Sequence, residues 1–114
     1  MTDDSRDFYC LHSDLCKTLA NEKRQRMLGA LRDGELTVTE LQERTGIAQA
    51  NLSQHLAVMR TKGVVVAHRD GTHVRYSISN PKIIQAFDLI SEVLAEAYGD
   101  RKDVVDTALG SRKA

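Results

Sequence analysis

The 114 residues suffice for one domain, and 41% hydrophobic residues with only 4% aromatics demand an aliphatic core of Leu, Val, Ile, Ala and Met. Sixteen basic residues balance sixteen acidic ones, which excludes a uniformly basic nucleic-acid wrapper but leaves room for a local basic patch. The sequence has no run of 18 apolar residues to span a membrane, its acidic start MTDDSRDFYC is no secretory signal, and two cysteines are too few for a disulfide framework, so a cytoplasmic protein is expected.

Residues 1–7 are polar and are expected to form a flexible N-terminus. From Phe8 to Leu19 apolar residues recur at helical spacing, with Phe8, Leu11 and Leu15 on one stripe and Tyr9, His12 and Cys16 beside it. Asn21 suits the N-cap of a second helix whose buried face is Met27, Leu28 and Leu31 and which Gly34 ends. Thr37 and Glu40 have the spacing of a capping box for a short third helix, with Leu41 inward and Gly46 closing it. After the turn Gly46-Ile47-Ala48 a fourth helix carries Leu52, Leu56 and Met59 on its inner stripe. Its other face shows Gln49, Ala50, Ser53, Gln54 and Arg60, and Gly63 stops it.

Two strands follow, Val64 to Arg69 and His73 to Ile78, with Asp70-Gly71 as the turn signal between them. Asn80-Pro81 opens a last helix bearing Ile83, Ile84, Phe87, Ile90, Val93, Leu94 and Ala97, an apolar face broad enough to want a partner. Residues 99–114 form a polar tail. The elements over residues 8–98 predict a mainly α fold with a small β-hairpin, in the order ααααββα: a winged helix-turn-helix.

The chemistry of the fourth helix suits the major groove of double-stranded DNA. Gln49, Asn51, Ser53 and Gln54 can donate and accept at base edges, and Gln or Asn can pair bidentately with adenine. Ala50 lets the helix approach closely. Between Arg60 and Tyr76 the charged residues are Arg60, Lys62, Arg69, Asp70 and Arg75, a local net of +3, and His68 and His73 add further donors. Arg60, Lys62, Arg69, Thr72, His73 and Arg75 are the expected phosphate contacts. No glycine-rich phosphate loop, HExxH pair or Ser/His/Asp set points to an enzyme.

In their joint order, LCKTLANEKRQRMLGALRDGE, TVTELQERTG, NLSQHLAVMRTKGVVVAHRDG and VRYSI resemble successive blocks of the ArsR/SmtB family of metal- and stress-responsive repressors, over about residues 8–97. The resemblance implies a homodimer joined through its first and last helices. It also implies an imperfect inverted-repeat operator, repression, and release by an inducer. It places Gln49, Asn51, Ser53, Gln54 and His55 where the family's recognition helix meets DNA; His55 either touches a phosphate or is partly buried and fixes the helix.

Two family metal sites lack their ligands. Thr37 and Thr39 stand where one site has cysteines, and the last helix offers Asp88, Glu92 and Glu96 but no histidine. Cys10 and Cys16 remain as candidate sensors. Six residues on one helix give about 9 Å of rise and about 240° of turn, beyond the reach of a disulfide, so an intrachain bond requires Cys10 to precede the helix or the helix to unwind, and a bond across the dimer is the other route. Three readings stand: thiol redox or reactive-sulfur sensing at Cys10 and Cys16; a thiophilic metal or metalloid ion held by Cys10, His12 and Cys16; or packing residues. A winged-helix protein-interaction module without DNA binding is the alternative of another class.

Overall fold

The computed structural model describes residues 4–98, with side chains from Asp7 onward. The polar tail expected over 99–114 lies outside the described residues, as do residues 1–3. The helices are α1 (Asp4–Leu19), α2 (Glu22–Ala30), α3 (Val38–Thr45), α4 (Gln49–Thr61) and α5 (Pro81–Ala97); the strands are β1 (Leu36–Thr37), β2 (Val65–Asp70) and β3 (His73–Ile78). All five expected helices and both hairpin strands are present. No described helix is long and apolar enough to cross a membrane.

Local chemistry accounts for most boundaries. The Asn21 side chain accepts from Arg24 N at 3.1 Å to start α2. Both halves of the Thr37–Glu40 capping box form: Glu40 N donates to Thr37 Oγ1 at 3.2 Å and Thr37 N donates to Glu40 Oε1 at 2.9 Å. Gly46 ends α3 at φ 73°, a left-handed conformation that costs glycine nothing, and donates to Gln42 O. The end of α4 is a Schellman motif. Val64 N donates to Met59 O at 2.8 Å and Gly63 N to Arg60 O at 3.1 Å, and the apolar pair Met59 and Val64 is fully buried.

Three details differ from the sequence reading. First, α1 begins at Asp4, ahead of Phe8, so part of the expected flexible N-terminus is helical; polar turns carry no apolar periodicity to reveal them. Second, the hairpin gains a third strand. Leu36 and Thr37 pair antiparallel with Tyr76 and Arg75, giving the sheet order β1-β3-β2. Third, Asp70 is a strand residue paired with His73. The two turn residues are therefore Gly71 and Thr72, not Asp70 and Gly71. Gly71 has φ 63° and no described non-glycine residue has positive φ, the pattern of a turn whose first central residue is glycine.

The chain up to Ser79 forms one compact unit. Its core is Met27, Leu28, Leu31, Leu36, Leu41, Ile47, Leu52, Leu56, Met59, Val64 and Val65, all buried. The unit from Asn80 onward carries α5, capped by Asn80, whose Oδ1 accepts from Lys82 N at 2.9 Å. Leu89, Ile90, Val93 and Leu94 of α5 are exposed. So are Phe8, Tyr9 and Leu11 of α1, the last at 71%.

The capping box makes one pH prediction. The Thr37 backbone N–H, then the Thr37 side chain and the Arg75 and Arg44 charges, hold the Glu40 carboxyl below its ordinary value against the opposing effect of burial. A depressed carboxyl pKa stabilises the fold fully above the ordinary glutamate value. That stability is lost as pH falls through it toward the lower folded value. Thermal melts of wild type and Glu40→Gln should show wild type losing more midpoint over that acidic range; parallel curves would mean the carboxylate contributes nothing.

Candidate nucleic-acid interface

Two short helices joined at Gly46-Ile47-Ala48 form the helix-turn-helix. The turn is tied by Thr45, whose hydroxyl donates to Leu41 O at 2.7 Å and accepts from Ile47 N at 3.2 Å. Buried Ile47 plugs it into the core. Leu52, Leu56 and Met59 fix the inner side of α4, and the helical repeat of about 100° per residue then decides where every other α4 side chain points. Gln49, Ala50, Ser53, Gln54 and Arg60 are all exposed, as expected. The first turn of α4 has no acidic residue and Ala48 supplies no side-chain cap, so its N–H groups and the positive end of the helix dipole are open to a phosphate. Sequence reading of side chains alone missed this feature; its signal was the non-capping Ala48.

Asn51, His55 and Lys62 turn instead to the flank of α4, where Asn51 and His55 are half-buried. His55 Nδ1 accepts from Arg24 Nε at 3.1 Å, and the same guanidinium donates through Nη1 to Thr18 O at 3.2 Å. Lys62 Nζ lies 2.8 Å from Asp14 Oδ2. Neither Arg24 nor Asp14 stood out in the sequence, because each pair joins residues on different helices.

The strand register divides the basic hairpin. His68 pairs with Arg75, Asp70 with His73 and Arg69 with Val74. With side chains alternating along a strand, His68, His73 and Arg75 share one face and Arg69 takes the other. Arg75 lies 3.5 Å from Asp70 and 3.7 Å from Glu40, and His68 is 3.8 Å from Glu35. The local excess of +3 is therefore not one open patch. Among the described residues Arg60 and Arg69 have no carboxylate partner, whereas Lys62 lies against Asp14 and Arg75 between Asp70 and Glu40. Thr72 and His73 sit exposed at the hairpin tip.

Both cysteines are free, exposed and inside the continuous helix α1, which answers the question the spacing left open. Cys10 does not precede the helix, so the fold does not bring the two thiols together. Within one chain the candidate ion ligands Cys10, His12 and Cys16 are likewise not all brought together. Cys16 Sγ lies 3.6 Å from His12 Nδ1, but Cys10, six residues from Cys16, faces another side of the helix. No group of three metal-ligating side chains exists among the described residues. Their exposure also leaves neither cysteine packed in the core.

Residues 21–66 match the model of the bacterial regulatory protein, arsR family. An uncharacterized HTH-type transcriptional regulator of Mycobacterium tuberculosis, Rv0081, is 38% identical over 104 residues, covering 90% of this chain and 91% of the relative. Its crystal structure superposes with a TM-score of 0.75 over 88% of this chain and 98% of that one. The transcriptional activator HlyU of Vibrio cholerae is 36% identical over 73% of this chain and 77% of its own length. The homodimeric winged helix-turn-helix DNA-binding domain Mb0332 of Mycobacterium bovis is 28% identical with a TM-score of 0.77, covering 85% of this chain and 90% of that domain. With the helix-turn-helix, the hairpin and these relatives in agreement, the chain belongs to the ArsR family of bacterial transcriptional regulators.

Proposed function

We propose that this protein is a homodimeric repressor that sets α4 into the major groove of an imperfect inverted repeat. Thiol chemistry at Cys10 and Cys16 then releases it. The observation that carries the DNA-binding reading is the division of α4 into a buried stripe, Leu52, Leu56 and Met59, and an exposed face of Gln49, Ala50, Ser53 and Gln54. A helix so held presents small hydrogen-bonding side chains at a fixed height, as base-edge readout needs. Arg60 with the α4 N-terminus, and Arg69, Thr72 and His73 of the hairpin, would supply backbone contacts. Lys62 and Arg75 would join by giving up their carboxylates.

Dimerisation is supported by apolar side chains left uncovered on α1 and on α5, and by the homodimeric Mb0332 domain. Repression is the reading that the family resemblance favours, by a dimer seated on an operator that excludes polymerase. HlyU carries the name of an activator, so a transcription assay decides the sign.

The sensing proposal rests on two exposed thiols, one with an imidazole in hydrogen-bond reach. Because one α1 cannot join its own two cysteines without unwinding, the bond available is between subunits. Two thiols give up two protons and two electrons, leave one disulfide, and reduce hydrogen peroxide to two waters. The Asp14–Lys62 ion pair and the Arg24 contacts tie α1 to the recognition helix, so displacing α1 displaces α4. Peroxide treatment should weaken binding of wild type to DNA from upstream of its own gene by tenfold or more, with Cys10→Ser/Cys16→Ser unaffected. Equal binding by both proteins in every redox state would remove the cysteines as sensor.

A further inference from the structure

We propose that Arg24 is a positioning residue for DNA recognition: it locks His55 as the imidazole protonated on Nε2, so that Nε2–H is a fixed donor to an acceptor on bound DNA. The inference rests on the DNA-binding reading above and assigns His55 a definite role within it.

A guanidinium N–H only donates and does not lose its proton in proteins. Arg24 Nε donates to His55 Nδ1 at 3.1 Å, so Nδ1 carries the lone pair. A neutral imidazole with its lone pair on Nδ1 has its proton on Nε2. The imidazolium form is disfavoured here, because an Nδ1–H would face the Arg24 N–H.

The guanidinium is itself held in place. Its Nη1 donates to Thr18 O at the end of α1, and the Arg24 backbone N–H donates to Asn21 Oδ1 at the cap of α2. Three elements therefore meet at one histidine on the recognition helix. Burial, then the Arg24 and Lys23 charges of α2, keep His55 below the usual histidine value, and no carboxylate contributes. Among the described residues Nε2 has no partner. It is thus a donor held by its neighbours and left for an acceptor from outside the chain. On DNA that acceptor is a phosphate oxygen or a base-edge atom such as purine N7.

Two substitutions separate the two ring nitrogens. His55→Asn places an amide oxygen near the Nδ1 position and keeps the Arg24 contact while deleting the Nε2 donor. His55→Gln places an amide near the Nε2 position and deletes the Arg24 contact. We expect His55→Asn to melt close to wild type yet bind DNA about tenfold more weakly, and His55→Gln to melt lower while retaining more of its affinity. If the lost affinity is the same on all sequences the acceptor is a phosphate; if it is confined to one base pair the acceptor is a base.

Long-range ¹H–¹⁵N spectra of the imidazole read the tautomer directly. Wild type should show a bare Nδ1 and a protonated Nε2 at neutral pH. In Arg24→Gln the two tautomers should average, a change that a purely structural arginine would not cause, and the His55 titration should move up with the loss of the Arg24 charge. A protonated Nδ1 in wild type, or wild-type affinity in His55→Asn, overturns the proposal. Failure of wild type to bind any duplex overturns the DNA-binding reading and the acceptor with it, while the spectra still decide the tautomer.

Discussion

Leu52→Ala is expected to destabilise the protein by about 2–5 kcal/mol, the range for truncating a buried leucine without collapse of the site. Leu52 is completely buried, on the inner stripe of α4 with Leu56 and Met59, and Leu41 of α3 is equally inaccessible. The two helices of the motif therefore depend on one aliphatic cluster with no aromatic side chain to fill a void. Small domains hold a net stability of only about 5–15 kcal/mol, so this loss removes much of it and frees α4 from its setting. Urea unfolding measures the change directly. Exposed Ser53, one residue along the same helix, should change stability by no more than about 0.5 kcal/mol on replacement by alanine. A Leu52→Ala cost under 1 kcal/mol would show that this stripe does not anchor the recognition helix.

The second large effect is on DNA affinity, and its form separates base readers from phosphate contacts. Gln54→Ala should weaken operator binding by about 1–3 kcal/mol, the value of a good bidentate base contact, with little change on unrelated duplexes. Arg69→Ala should weaken binding on all sequences alike and lower the salt slope by about 1. Arg75→Ala should cost less than Arg69→Ala, because Arg75 already lies between Asp70 and Glu40 and must leave them to reach a phosphate. Anisotropy titrations at several salt concentrations resolve all three. Equal losses for Arg69 and Arg75 would mean that those carboxylates do not compete with DNA.

What was legible in the sequence was local. Asn21, the Thr37–Glu40 box, Gly46 and Asn80-Pro81 act on backbone within a few residues, and each acts as read. The buried stripe of α4 was legible because one period of apolar residues marks it. What escaped depended on partners distant in the chain. The strand β1 is two residues long and exists because β3 pairs with it, so no alternation could announce it. The hairpin turn moved by one residue because Asp70 found a cross-strand partner in His73, making Gly71 the first turn residue.

The site divides the same way. Exposure of Ser53 and Gln54 followed from helical phase, while the contact that fixes His55 required Arg24, 31 residues away. The net charge between Arg60 and Tyr76 was read correctly, but its arrangement was not. Strand register sends Arg69 and Arg75 to opposite faces, and Asp14 reaches Lys62 from another helix.

The central claim is that α4 and the hairpin bind duplex DNA. The direct measurement is the affinity of the reduced, full-length protein for DNA from upstream of its own gene and for an unrelated duplex, from about 50 to 200 mM salt. Binding to the upstream DNA should be tighter, and the affinity for both should fall steeply and linearly on a log–log scale. Binding that ignores salt, or that fails to distinguish the two duplexes, would contradict it.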